Sequence, residues 1–198
     1  IIFNGPEEEL KQTQFTQPAI YIVSVIIGML MLENGIQPSC AAGHSLGEYS
    51  ALTLAKSFDF ETGLNLVKVR AEGMQFAGTQ NPGTMAAVIG LDDETTQNIC
   101  NQYSNGIVVA ANFNAKGQVV ISGEVDAVHA VMPLLKDAGA MKVIELNVSG
   151  AFHSPLMTPA KEMLSEMLLS IEIRDSEIPV YANVTASPVS NKDEIRQS

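Results

Sequence analysis

The apolar and polar positions divide the chain into segments of two different periods. Residues 19–32 form the longest apolar run, Ala-Ile-Tyr-Ile-Val-Ser-Val-Ile-Ile-Gly-Met-Leu-Met-Leu. The run predicts a buried helix opened by Pro18, whose missing amide hydrogen costs nothing in a first turn, and ended by Asn34 and Gly35, which tolerate a left-handed backbone. It is shorter than the roughly 20 residues a bilayer span needs, and polar residues bound it on both sides, so a membrane segment is not expected. Ahead of it, Glu7, Glu8, Glu9 and Leu10 suit a short helix in an otherwise polar stretch. Behind it, residues 36–42 are small and mostly apolar, as in a buried parallel strand, and residues 51–55 read as a helix. A further helix is predicted from about residue 57 to residue 75, with apolar positions 64, 67, 71 and 74 on one face.

At Gln80-Asn81-Pro82-Gly83 the composition breaks and the period changes. Strands are predicted at 84–90, 108–112, 118–122 and 141–146, with helices at 93–100 and, despite Pro133, at 125–138. Strand-helix-strand-strand-helix-strand is the order of a ferredoxin-like split βαβ unit. Beyond it a loop over 147–157 leads to an amphipathic helix carrying Met157, Met163, Leu164, Met167 and Leu168. A short strand at 178–184 follows, then a polar tail that cannot finish a fold. The fold class implied is α/β: a larger domain, 1–82 with 148–198, built on a parallel sheet with a hydrolase-like core, and an inserted ferredoxin-like βαββαβ subdomain, 83–147.

The chemistry concentrates where the first strand meets its helix. Gly43-His44-Ser45-Leu46-Gly47 is a Gly-x-Ser-x-Gly turn between strand and helix, the arrangement of a nucleophile elbow. Small residues two before and two after Ser45 let strand and helix pass closely, and the amide of Leu46 lies at the helix amino end, where it can stabilise an oxyanion. A serine nucleophile needs a base. His44 adjoins Ser45 but points elsewhere, which leaves it at most a structural or substrate-orienting role, and His129 falls on a predicted surface helix. His153, in a loop of glycine, serine and proline after a strand, is the best base. Arg70 lies one position off the apolar stripe of its helix. Its head is either drawn inward by a partner or snorkels to water, and the helix pattern alone favours water.

Composition narrows the classes further. With 198 residues and 46% apolar content the chain can bury a substantial core. Lys and Arg number 11 against 22 Asp and Glu, a formal charge of −11, which disfavours a broad nucleic-acid surface but leaves room for a local basic dock. Cys40 and Cys100 have no CxxC relation, fall in segments predicted to be buried, and read as reduced core thiols of a cytoplasmic protein. The histidines and cysteines lack zinc-ligand spacing, and Asn112-Phe113-Asn114-Ala115-Lys116-Gly117 is neither a P-loop nor a dinucleotide fingerprint, so no metal and no permanently bound cofactor is expected.

Taken together, these segments resemble the malonyl-CoA:acyl-carrier-protein transacylases and, more broadly, the acyltransferase domains of fatty-acid and polyketide synthesis. The likeness rests on Gly43-His44-Ser45-Leu46-Gly47-Glu48-Tyr49-Ser50-Ala51-Leu52, on Val69-Arg70-Ala71-Glu72-Gly73-Met74 and on Gly150-Ala151-Phe152-His153-Ser154-Pro155-Leu156-Met157. Asn112-Phe113-Asn114 and Tyr181-Ala182-Asn183-Val184-Thr185 follow the family too, although Ala115-Lys116 stands where a small residue and proline are more usual. The resemblance implies Ser45 as nucleophile, His153 as base, Leu46 N–H as oxyanion donor and Arg70 as the grip on a malonyl carboxylate. His44, Phe152, Asn112 and Asn183 are implied as further substrate-binding residues, with Phe152 narrowing the pocket. A coenzyme A thioester, malonyl-CoA, is the implied substrate and acyl carrier protein the implied partner, with no nucleic acid and no membrane. The family's opening strand with its glycine-glutamine-glycine loop, and its histidine-orienting carboxyl-terminal segment, have no counterpart here, so an internal fragment is expected. Two other readings share the elbow: an α/β-hydrolase-type esterase or thioesterase, and a catalytically incomplete interaction module.

Overall fold

In the computed structural model, which describes residues 1–197, helices α1 (Glu7–Leu10) and α2 (Thr13–Glu33) lead into strand β1 (Ala41–Ala42) and helices α3 (Gly47–Leu54) and α4 (Phe60–Gln80). Next come β2 (Gly83–Ile89), α5 (Asp93–Gln102), β3 (Val108–Ala115), β4 (Gln118–Glu124), α6 (Val125–Asp137) and β5 (Lys142–Glu145). A 3-10 turn, Pro155–Met157, precedes α7 (Thr158–Ser170), β6 (Val180–Tyr181), β7 (Pro188–Val189) and α8 (Lys192–Gln197). The chain falls into two compact units, Ile1–Glu72 with Met163–Ser198 and Gly73–Glu162. The division lies outside the composition break at 80–83. Met74 and Ala77 of α4 share a buried cluster with Met157 and Ala160, and this draws the end of α4 and the start of α7 to the second unit.

In the first unit β1 and β6 pair in parallel, Ala41 with Val180 and Ala42 with Tyr181, and β7 joins β6 antiparallel. The expected strand over 36–42 is thus paired only at its end. Because β1 is an edge strand of this sheet, Cys40, expected to be buried, is exposed. Ala51, Leu52, Ala55 and Phe58 pack on Leu66, Ile173, Val180 and Ile195. The polar tail contributes a short helix, α8, which docks through one buried apolar side chain, Ile195.

Helix α2 departs from the sequence expectation in two ways. It begins at Thr13, so Pro18 lies inside it and does not open it; one backbone bond, to the Gln14 carbonyl, is forgone. It is also largely uncovered. Burial follows one stripe, Gln17, Tyr21 and Val25 at i, i+4 and i+8, with Tyr21 and Val25 meeting Leu46 and Val67, while Ile20, Ile26, Ile27, Leu30 and Met31 are 46–52% exposed. By length and composition alone this 21-residue helix could cross a membrane. Its buried stripe is anchored by Tyr21, whose hydroxyl lies 2.8 Å from Thr53 Oγ1 and donates to the Phe60 carbonyl at 3.1 Å.

In the second unit the sheet order is β3-β4-β2-β5, every neighbouring pair antiparallel. Ala86, Val88, Ile121 and Val143 turn one face toward α5 and α6, meeting Cys100, Val128, Val131 and Leu135. Burial pushes the Cys100 thiol up to about 11. Asp92 caps α5 by accepting from the Thr95 amide at 2.8 Å, and hydrogen bonds from the Thr95 side chain and then its amide hold the carboxyl below the usual range. Strand β3 shifts register between Ala110 and Asn112 and again between Phe113 and Ala115.

Candidate active site

Beyond β1 the chain turns sharply into α3. A methyl group at Gly43 would sit 1.8 Å from the Gly47 carbonyl carbon and 2.3 Å from the Glu48 nitrogen, so only glycine fits there. At Gly47 the same addition meets nothing within 4 Å. The expectation that both glycines are needed for closeness holds for the first alone, since it is the Gly47 backbone that Gly43 must clear. Ser45 takes a positive φ of 50°, which an L residue rarely adopts. The amides of Gly47, Glu48 and Tyr49 return to the carbonyls of His44, Ser45 and Leu46 at 2.9, 3.2 and 3.1 Å. Among the described residues the Leu46 N–H is given to no acceptor. It stands at the amino end of α3, where the helix dipole favours negative charge.

Arg70 is drawn inward. From α4 its Nη2 donates to Ser45 Oγ at 2.7 Å and its Nη1 donates to Gln17 Oε1, while the guanidinium lies 5.8 Å from the centroid of the Tyr49 ring. Burial pushes the guanidinium below its ordinary value and the Tyr49 phenol above its own. An arginine nevertheless keeps its charge, so the elbow serine faces a half-buried cation. Gln17 was not anticipated as a site residue. Its signal was a lone amide continuing the Tyr21–Val25 stripe, where an apolar side chain would otherwise stand.

Asn183, just past β6, reaches the same turn. Its Oδ1 accepts from the Ser45 amide at 2.9 Å, its Nδ2 donates to the Gly43 carbonyl at 2.8 Å and to Glu48 Oε2, and its backbone N–H donates to Glu48 Oε2 at 3.0 Å. Glu48, inside the elbow segment, is a second site residue that the sequence pattern does not single out. His44 is exposed beside Ser45. The first unit therefore assembles Ser45, Leu46, Arg70 and Asn183, together with Gln17, Tyr49 and Glu48.

Asn112, Phe152 and His153 belong to the second unit. Asn112 lies half-buried on β3 at the register shift. Phe152 packs against the cluster of Met74, Ala77, Met157 and Ala160. His153 is exposed with a positive φ of 59°, on a loop braced from both sides. Ser154 Oγ donates to the Ala151 carbonyl at 2.7 Å and accepts from the Leu156 amide at 3.3 Å, and Asn81 Nδ2 donates to the Leu156 carbonyl at 3.1 Å. His129 is exposed on α6 and pairs with Glu145 at 3.1 Å. Among the described residues no group of three or more His, Cys, Asp or Glu could hold a metal ion.

Residues 1–197 match the model of the acyl transferase domain. The chain belongs to that family. It is 40% identical over 199 residues to the malonyl CoA-acyl carrier protein transacylase of Bacillus subtilis strain 168, covering 100% of this chain and 63% of that relative. An acyl carrier protein S-malonyltransferase from Vibrio cholerae superposes with a TM-score of 0.93 at 41% identity, over 98% of this chain and 64% of that one. A malonyl-transacylase solved in complex with its type II PKS acyl-carrier protein gives a TM-score of 0.93 at 42% identity, over 98% and 63% of the two chains. This acyl transferase chain thus spans a little under two thirds of the length of the relatives it matches.

Proposed function

We propose that this acyl transferase domain carries a malonyl group from malonyl-CoA to the phosphopantetheine thiol of an acyl carrier protein, through an ester on Ser45, in fatty-acid synthesis. The observation that carries the reading is the hydrogen bond from Arg70 to Ser45 Oγ. A guanidinium fixed one hydrogen bond from the nucleophile suits an acyl group whose free carboxylate lies two carbons from its thioester carbonyl, and a planar carboxylate can take two parallel bonds from it. An esterase of neutral substrates has no use for that cation. The family membership and the names of the relatives support the same substrate and partner.

In this reading His153 takes the Ser45 proton as Oγ attacks the thioester carbonyl. The Leu46 amide stabilises the tetrahedral oxygen, the C–S bond breaks, and His153 returns the proton to the departing coenzyme A sulfur. The carrier thiol then gives its proton to His153 and attacks the serine ester, and the proton returns to Ser45 as the malonyl thioester leaves. Phe152, Asn112 and His44 line or orient the acyl group, the cycle needs no permanently bound cofactor, and it runs in the cytoplasm. The sheet order of the second unit supports reading residues 83–147 as a ferredoxin-like subdomain inserted in a hydrolase-like core, 1–82 with 148–198.

The test is intact mass after incubation with malonyl-CoA and no acceptor. A malonyl-sized increment should appear on the unmutated chain and be missing from Ser45→Ala. Arg70→Ala should lose malonyl uptake while acetyl uptake from acetyl-CoA persists. An unmutated chain that takes up neither acyl group, or an Arg70→Ala variant that loses both equally, would overturn the reading.

A further inference from the structure

We propose that Asn183, held by Glu48, is a positioning residue for the nucleophile: its side chain continues the β1–β6 ladder past the point where the backbones part, and so sets Ser45 in its positive-φ turn. The parallel register pairs Ala41 with Val180 and Ala42 with Tyr181, and the Ala41 amide donates to the Pro179 carbonyl at 2.9 Å. Carried two residues further, the same ladder would have the backbone N–H of residue 183 donate to the Gly43 carbonyl. The carbonyl of residue 183 would accept from the Ser45 amide. The elbow turns away before those bonds can form. Asn183 Nδ2 fills the first role at 2.8 Å and Asn183 Oδ1 the second at 2.9 Å. A side-chain amide carries a donor and an acceptor side by side in one plane at every pH.

Glu48 completes the device. Its Oε2 accepts both the backbone N–H and Nδ2 of Asn183, which fixes which end of the amide faces Gly43 and which faces Ser45. Glu48 lies in the first turn of α3, where a carboxylate is favoured by the helix dipole. Both flanks of the nucleophile are therefore tied to β6 and to the elbow helix by one amide. With Oδ1 and Nδ2 both spent on backbone, Asn183 acts on the reaction through Ser45 and Leu46 and not by touching the acyl group. The inference rests on Ser45 being the nucleophile of the proposed transfer.

The measurement uses two reagents. A fluorophosphonate probe reads the reactivity of Ser45 whatever the natural acyl donor is, and malonyl-CoA reads acylation with a separable half-saturation and limiting rate. Asn183→Ala should slow both the probe and the limiting acylation rate by roughly ten- to a hundredfold, the scale on which a small misplacement of a reacting group acts. The half-saturation for malonyl-CoA should stay within about twofold, because Arg70 is untouched. Glu48→Ala should give a smaller loss in the same direction. Asn183→Asp supplies a variant of nearly native shape: its ionised carboxyl faces the Gly43 carbonyl and Glu48 without a donor. Its rates relative to the unmutated chain should therefore recover as pH falls and the acid regains a proton to give.

A raised half-saturation with unchanged probe labelling would mean that Asn183 binds substrate, and would overturn the proposal. So would an Asn183→Asp ratio that does not vary with pH, which is the behaviour of a merely structural asparagine. If the unmutated chain takes up no malonyl group while Asn183→Ala still slows the probe, the malonyl reading fails and the positioning role stands.

Discussion

Alanine at Gly43 and alanine at Gly47 are equal changes in composition with opposite expected outcomes. The methyl group at Gly43 would lie 1.8 Å from the Gly47 carbonyl carbon and 2.0 Å from its oxygen. Carbon atoms in ordinary contact stand about 3.5–4.0 Å apart, so the overlap is close to 2 Å. Both opposing atoms are backbone, so no rotamer change relieves the clash, and either the strand end or the first turn of α3 must move. Overpacking a core by a methylene costs about 1–3 kcal/mol where side chains can adjust. A rigid backbone contact puts Gly43→Ala at or above the top of that range. At Gly47, the first residue of α3, the added methyl meets nothing within 4 Å. Alanine there gains up to about 1 kcal/mol from helix propensity. Urea unfolding of the two variants, read with the fluorophosphonate rate at Ser45, checks both limbs. Gly43→Ala should move the midpoint down by about 1 M or more and suppress labelling; Gly47→Ala should leave the midpoint level or raised and the Leu46 amide in place. A Gly47→Ala variant as damaged as Gly43→Ala, or a Gly43→Ala variant with native stability and labelling, would refute the steric reasoning.

Two further outcomes follow from buried groups. Cys100 is 1% exposed, and burial pushes its thiol from 9.0 to about 11. The unfolded chain loses this proton near pH 9 while the folded chain holds it to about 11, so stability falls as pH rises through that window. The loss approaches about 2–3 kcal/mol, and denaturation of Cys100→Ala across pH 8–11 should lack that part of the slope; identical slopes in both chains would refute the assignment. Tyr21→Phe removes a fully buried hydroxyl within hydrogen-bond distance of Thr53 Oγ1 and the Phe60 carbonyl, and leaves the single Thr53 hydroxyl proton to the Tyr49 carbonyl at 2.8 Å. A loss of about 1–2 kcal/mol is expected in thermal or urea unfolding, and a change under a few tenths would mean that the hydroxyl contributes nothing.

Period, punctuation and local turn chemistry are properties of neighbouring residues, and these were legible in the chain. The apolar run at 84–90 became β2 at Gly83–Ile89, and the closing run at 141–146 became β5 at Lys142–Glu145. The helices expected at 93–100 and 125–138 run Asp93–Gln102 and Val125–Asp137. Gly43-His44-Ser45-Leu46-Gly47 likewise announced a sharp strand-to-helix turn, because few sequences make one and glycine is what the close approach demands. What depends on neighbours distant in the chain was not legible. The apolar run at 19–32 says only that some of its side chains prefer to leave water, and whether they do is decided by which elements reach them; α3 and α4 reach one stripe. Cys40 is exposed because its strand lies at a sheet edge, a fact held by the pairing of residues some 140 positions apart. The helix pattern around Arg70 favoured water, and only the approach of Gln17, Ser45 and Tyr49 gives the guanidinium somewhere better to go. Asn183 and Glu48 illustrate the same limit. The chain presents an amide and a carboxylate of ordinary type, and the parallel register of β1 and β6 brings them together at the turn that holds Ser45.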